Sequence, residues 1–444
     1  VRVSAAAGRP PLRATFVSFK NRNYRLYFTG QLISMIGTWM QSTALAWFVL
    51  QRTHSALALG TVSTFQFLPV LLFALFGGVI ADRFPKQKLM LSTQSVLLVQ
   101  ATILATLTAT GLINLPLIYL LAAVQGTASA INMPAQQSFV MEMVGAKDVP
   151  NAVALNSSLL QMTRLVGPAL GGLTIAFFGA AICFYLNAAS FVAVLAALAM
   201  MDPSRFYPVD RPKRAAVIKQ LGEGLHYALT TPDIFLAIIT MAVLGTFGYN
   251  FQVFTPLIAQ FVLHTNSVGF GLLSSTMAIG SLVAALGIAW LGGATRKVML
   301  FGAGSFSLAL LAIGLSNTWL LLVPLLAAFG FASSVFTATN NARLQLITPS
   351  HLRGRVMSIN TLLFAGSTPI GSLIVGALAQ SLGVQPMLAL MGGACLLGVA
   401  LALAYQRRMR DRLVPEGTQV AAPLDARAEL REIERVPAAK SAAS

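Results

Sequence analysis

The chain has 444 residues, 56% of them hydrophobic and only 10% charged, where a soluble domain carries roughly 25% charged residues. That composition excludes a soluble globular domain and is too apolar for a disordered chain; it describes a protein that crosses a lipid bilayer many times. Thirty Lys and Arg against thirteen Asp and Glu leave a net charge of +17, an excess that in a membrane protein belongs to cytoplasmic loops and not to nucleic acid.

Residues 1–25 hold Arg2, Arg9, Arg13, Lys20, Arg22 and Arg25 and no acid. The apolar run after Arg25 is too long for a signal peptide and no small-residue cleavage pattern follows it, so it reads as a first span behind a basic cytoplasmic segment. A span needs about 20 apolar residues, so intervals free of Lys, Arg, Asp and Glu count the spans. Arg25–Arg52 and Arg52–Asp82 hold one each. Lys88–Glu142 holds two with a turn at Gly111–Pro116, and Asp148–Asp202 two more, interrupted only by Arg164. A polar stretch from Asp202 to Thr231, with Pro203, Pro208, Pro212 and the cluster Arg211, Lys213 and Arg214, then divides the chain. Asp233–Arg296, Lys297–Arg343 and Arg355–Arg407 hold two spans each, turning near His264–Asn266, Asn317 and Gly383–Pro386.

Twelve transmembrane helices are therefore expected in an all-α polytopic fold; a re-entrant segment would change the count to eleven or thirteen. The expected organisation is a basic N-terminus (1–25), a six-helix bundle (26–201), a central cytoplasmic loop (202–231), a second six-helix bundle (232–404) and a cytoplasmic tail (405–444). With both termini inside, 28 of the 30 basic residues are cytoplasmic, Arg52 alone lies outside and Arg164 lies within a span. That bias orients the chain. Cys183 and Cys395 sit in apolar runs as core residues; neither a disulfide framework nor a metal site is expected.

The halves repeat. A shift of 204 residues pairs Gly126 with Gly330, Gln136-Gln137 with Asn340-Asn341, Asn156 with Asn360, and Gly167, Gly172 and Gly179 with Gly371, Gly376 and Gly383. Two parallel six-span repeats related by an axis along the membrane normal place a substrate between them near the midplane.

The loop after the second span reads Gly78-Val-Ile-Ala-Asp82-Arg83-Phe-Pro-Lys86. It resembles the signature G-x-x-x-D-R-x-G-R-[RK] between helices 2 and 3 of the major facilitator superfamily. Gly78, Asp82 and Arg83 match and Lys86 takes the first basic place, while Pro85 and Gln87 depart. Physically, Gly78 would let helices approach closely, and Asp82 and Arg83 would make cytoplasmic charge contacts that hold one state closed. The corresponding place in the second half, Arg296-Lys297, has no acid. Gly167-Pro168-Ala-Leu-Gly171-Gly172 resembles the G-P-x-x-G-G core of the helix 5 motif of exporters in that superfamily; Pro168 would bend the helix and the glycines would admit close contact. The usual helix 4 arginine is absent at Ala122-Ala-Val-Gln125-Gly126. Arg353-Gly-Arg355-Val-Met357-Ser358 and Asn151-Ala-Val-Ala-Leu-Asn156 look like the subfamily of the enterobactin exporter and macrolide efflux proteins.

That resemblance implies a multi-pass inner-membrane secondary transporter, monomeric, with two pseudo-symmetric bundles, exporting a small organic compound against a proton gradient. An uptake carrier of the same fold or a lipid or glycan flippase is the alternative. An enzyme is excluded by the residues themselves, since no carboxylate pair, His cluster or Ser-His arrangement lies in the spans. No phosphate loop is present and no cofactor is expected.

Polar side chains within the spans supply the candidate site. Arg164 is the only ionisable group well inside a span, where it costs roughly 2.5–3.5 kcal/mol, so it should face the interior. Asn156 and Gln161 lie near its face of the helix. Gln125, Gln136, Asn340 and Asn360 are further amides expected at a substrate, with Trp39 as stacking surface. No acid is available to neutralise Arg164, so an anionic group such as a catecholate or carboxylate fits. Glu142, at the inner end of span 4 beside Met141 and Met143, is the proton-coupling candidate.

Overall fold

The computed structural model of the protein describes residues 12–207, 217–291 and 294–409. Among them every regular element is helical, as the bilayer requires of a segment whose backbone groups find no water. Two 3-10 turns, Leu12–Lys20, precede α1 (Arg22–Thr53), α2 (Ala56–Arg83), α3 (Lys86–Ala109), α4 (Leu115–Phe178) and α5 (Ala180–Ala199). After the linker helix α6 (Val217–Thr230) come α7 (Pro232–Phe247), α8 (Phe251–Leu257), α9 (Ser267–Leu291), α10 (Arg296–Gly314), α11 (Trp319–Ile347), α12 (Ser350–Leu382) and α13 (Val384–Arg408).

Helix starts follow local chemistry. Asn21, Ser55, Asn114 and Thr295 each accept a bond from the first turn that follows, satisfying donors that have no intrahelical partner. The repeat is visible in the backbone: Gly179 (φ 82) and Gly383 (φ 88), 204 residues apart, both end one span and begin the next in a conformation open to glycine.

Among the described residues eleven helices are long and apolar enough to cross a membrane, one fewer than the twelve expected. The difference lies in α4. Its 64 residues would reach roughly 96 Å at 1.5 Å per residue, about three times the thickness of a hydrocarbon core. At Gly145 (φ 73, ψ 163) the backbone leaves the helical region, so α4 comprises a first limb, residues 115–144, and a second limb, residues 146–178. Gly145 stands between Glu142 and Asp148, where the charge pattern ends one span and begins another.

The central loop is not wholly irregular. α6 docks on α12, with Gly224 against Arg355 and Ile359. The cluster Arg211, Lys213 and Arg214 and the tail beyond residue 409 lie outside the described residues. α1 begins at Arg22, so Arg22 and Arg25 are helical, and α13 continues to Arg408. Cys183 and Cys395 are buried free thiols.

Candidate functional site

The two halves touch at one end. Call the end carrying Lys86, Arg296 and Arg408 the basic end; His54 and His264, both in left-handed turns, mark the other. Ser55 Oγ donates to Gln380 Oε1 at 3.0 Å, Ser63 and Ser372 share a bond of 2.9 Å, and Thr64 donates to the Pro369 carbonyl at 3.0 Å. Across the pseudo-equivalent seam, Ser267 Oγ donates to the Gly172 carbonyl at 3.0 Å and Ser275 Oγ to the Leu165 carbonyl at 2.9 Å. All these residues lie between mid-helix and the histidine end. Glycine permits the approach. A Cβ on Gly60 would lie 2.5 Å from the Ser372 carbonyl oxygen, and one on Gly271 2.7 Å from that of Pro168. The buried core is continuous across both halves there, whereas a second cluster around Met90, Phe139, Met143 and Phe191 belongs to the N-terminal half alone.

Beneath that seam lies a central cavity lined by both halves, with Trp39, Gln66, Arg164, Phe251 and Gln252 among its walls and no acid. Its volume is about 60 Å³, room for a few waters. Arg164 reaches it from the second limb of α4. Its Cζ stands 4.7 Å from the centre of the Phe251 ring and 5.6 Å from that of Trp39. Ring faces stabilise the cation by about 2 kcal/mol when water is excluded but accept none of its five N–H groups in the plane of a lone pair. Among the described residues Arg164 has no hydrogen bond or ion pair.

Phe251 and Gln252 are placed by a break in the seventh span. α7 stops at Phe247, Gly248 to Asn250 leave the helical ladder, and α8 resumes before a π-helical turn at Ile258–Val262. Sequence reasoning missed the break, whose signal was Gly245, Gly248 and Pro256 in one span, and did not single out Gln252 from the other amides of the spans. Tyr249, within the break, packs on Phe306 and bonds to the Ser333 carbonyl and the Thr337 hydroxyl.

Of the eight residues expected at substrate, Arg164 and Trp39 line the cavity. Four are engaged in amide pairs within one half. Gln125 Oε1 accepts from Gln41 and Gln66, Gln136 donates to Gln31 at 3.2 Å, and Asn340 donates to Asn360, which donates to Asn341. Asn156 accepts from Tyr24 Oη at 3.2 Å. Gln161 is half-buried one turn before Arg164.

The residues expected at the gate divide. Gly167 and Gly171 pack on α1 at Trp39 and Met40, and Gly172 on α9 at Ser267 and Gly271. Pro168 lines the cavity; lacking an N–H, it leaves the Arg164 carbonyl without its helical donor. Gly78 does not make the close approach expected of it: a Cβ there would meet nothing within 4 Å. Gly77 makes it instead, against the Ala130 carbonyl, because one residue turns the helix face by about 100°. Asp82 and Arg83 are exposed and have no ion pair among the described residues. Lys86 pairs with Glu142, so the proton-coupling candidate is engaged at the basic end. The second half has its acid after all. Asp233, at the start of α7, accepts from Arg296 at 2.8 and 3.1 Å and from Arg343. The partners come from three helices, so a search near Arg296 in sequence cannot find the carboxylate.

The profile of the transmembrane secretion effector family, within the major facilitator superfamily, matches residues 13–424, and the chain belongs to that family. It is 26% identical to the staphyloferrin A transporter of Staphylococcus aureus, over 83% of this chain and 92% of that one. It is 26% identical to the multidrug efflux pump Tap of Mycolicibacterium fortuitum (84% and 94% covered) and 25% identical to the enterobactin exporter EntS of Shigella flexneri (88% and 94%). The fold is that of the nucleoside transporter NupG (TM-score 0.65, 13% identity, 86% and 98% covered). It is also that of a bacterial homologue of the human lysosomal transporter Spinster in an inward-facing, unoccupied conformation (TM-score 0.68, 13% identity, 89% and 99% covered). The chain is a membrane transporter and not an enzyme.

Proposed function

We propose that the protein exports a small organic compound bearing an anionic group across the inner membrane, as a monomer, by alternating access coupled to the proton gradient. The observation that carries this reading is Arg164: a cation in a cavity between the halves, stacked by Trp39 and Phe251 and with no acid among the lining residues. A charge held that way is costly and is compensated when an anion binds. Export as the direction draws support from relatives named as an efflux pump and an exporter.

The basic end is the cytoplasmic end in this reading, by the positive-inside rule. The halves then meet on the outer side and part toward the cytoplasm, the state that loads an exported substrate. Glu142 is the carboxylate proposed to take up the proton, releasing Lys86 as it does so. The test is transport in everted vesicles. Arg164→Ala should abolish uptake of the substrate without loss of folded protein. Arg164→Lys should keep part of it, since the charge survives while the planar fork does not. Wild-type transport by Arg164→Ala refutes the site, and transport unchanged by a protonophore refutes the coupling.

A further inference from the structure

Gln66 lines the same cavity as Arg164, and its amide is held in one orientation. Its Nε2 donates to Gln125 Oε1 at 3.2 Å. That oxygen also accepts from Gln41 Nε2 at 3.4 Å, and Gln41 Oε1 in turn accepts from Asn187 Nδ2 at 2.7 Å. Asn187 Oδ1 accepts from Ser190 Oγ at 3.1 Å. The bonds run from α5 through α1 and the first limb of α4 to α2. Asn187 and Gln41 are each 1% exposed, so no solvent competes for these groups. Turning Gln66 alone would set its oxygen against that of Gln125, an unpaired clash of acceptors in a low-dielectric interior.

With one Nε2–H committed to Gln125, Oε1 is the acceptor Gln66 has left for the cavity, and it has no partner among the described residues. The cavity thus presents a guanidinium, which has only donors, and a carbonyl oxygen, which only accepts. One ligand satisfies both when it carries an anion and, separately, an O–H or N–H. We infer that Gln66 is a specificity-determining residue, oriented by Gln125, Gln41 and Asn187 as positioning residues, and that it selects anions bearing a hydrogen-bond donor; this rests on the Arg164 reading above.

The probes are 3-hydroxybenzoate and 3-methoxybenzoate, whose ring position keeps the hydroxyl from bonding to its own carboxylate. Binding to the purified full chain is measured by calorimetry. Wild type should bind the hydroxyl compound about tenfold more tightly, the size expected when a shielded acceptor loses its donor. Gln66→Met, similar in length and without the acceptor, should remove that preference. Gln125→Leu should weaken it, and Gln125→Glu, which still accepts from Gln66 Nε2, should restore it. Arg164→Ala should lose both probes. If Arg164→Ala binds both probes as wild type does, the anion site fails. If Arg164→Ala loses both while Gln66→Met keeps the preference, the anion site stands and the assignment to Gln66 is overturned. Equal binding of the two probes by wild type, tighter binding of the methoxy compound, or no binding of either also overturns it.

Discussion

Asp233→Asn tests the buried ion cluster of the second half. Asp233 is 1% exposed, and the side chains of Arg296 and Arg343 are 8% and 5% exposed, so water screens none of the three. One carboxylate oxygen accepts from Arg296 Nε, Arg296 Nη2 and Arg343 Nη2. Asparagine has nearly the same shape but no charge, and it leaves two buried cations without the anion they share. Removing one partner of a buried pair costs about 3–5 kcal/mol. The first-half pair Lys86–Glu142 is more exposed, at 15% and 20%, and Glu142→Gln should cost nearer 1 kcal/mol, the upper range for solvated pairs. Unfolding of detergent-purified protein followed by tryptophan fluorescence measures both. A variant that replaces Asp233, Arg296 and Arg343 together with apolar residues should recover much of the loss, since burial of the ions itself costs energy. Asp233→Asn within about 0.5 kcal/mol of wild type, the range of neutral surface changes, would refute the argument.

Gly77→Leu should fail to give folded protein, because its side chain has no room against the Ala130 carbonyl, while Gly78→Leu should fold normally; size-exclusion profiles of the two distinguish them. Asp82→Asn should leave stability unchanged, since Asp82 has no ion pair among the described residues, yet slow transport by weakening cytoplasmic contacts of the other state; a loss of stability with unchanged transport would reverse that reading. The hydroxyl and backbone N–H of Ser204 hold the Asp202 carboxyl below the usual carboxylate range. A depressed folded value stabilises above the unfolded pKa and is lost as pH falls through the folded one. The stability difference between wild type and Asp202→Asn should therefore be constant from pH 8 to about pH 5 and shrink below about pH 4, near the unfolded value; a difference that grows on acidification contradicts it. Reporter fusions at residues 54, 114, 266, 317 and 384 should read as outside, and those at 86, 146 and 297 as inside; an outside signal at 297 would overturn the orientation.

Composition and charge spacing determined the class of this protein, the positions of nearly all its spans and its division into halves. The bilayer makes those features local: a span is about 20 mostly uncharged residues wherever it sits, and Arg164 stands out because the other charged residues of the chain lie nearer the span ends or outside them. The 204-residue repeat was legible for a related reason, since close helix contacts demand small residues at set intervals, and Gly179 and Gly383 repeat even in their dihedral angles. Which amides meet the cavity was not legible. Gln66 and Gln125 both read as polar residues in apolar helices, and only the packing of α1, α2, α4 and α5 assigns one to the cavity and the other to its support. Gly77 and Gly78 are indistinguishable in sequence until a neighbouring helix touches one face. Asp233 finds Arg296 and Arg343 63 and 110 residues away. Along a helix the side chain turns by about 100° per residue, so a polar residue's depth in the membrane can be counted from the sequence, whereas its direction is decided by the helices packed around it.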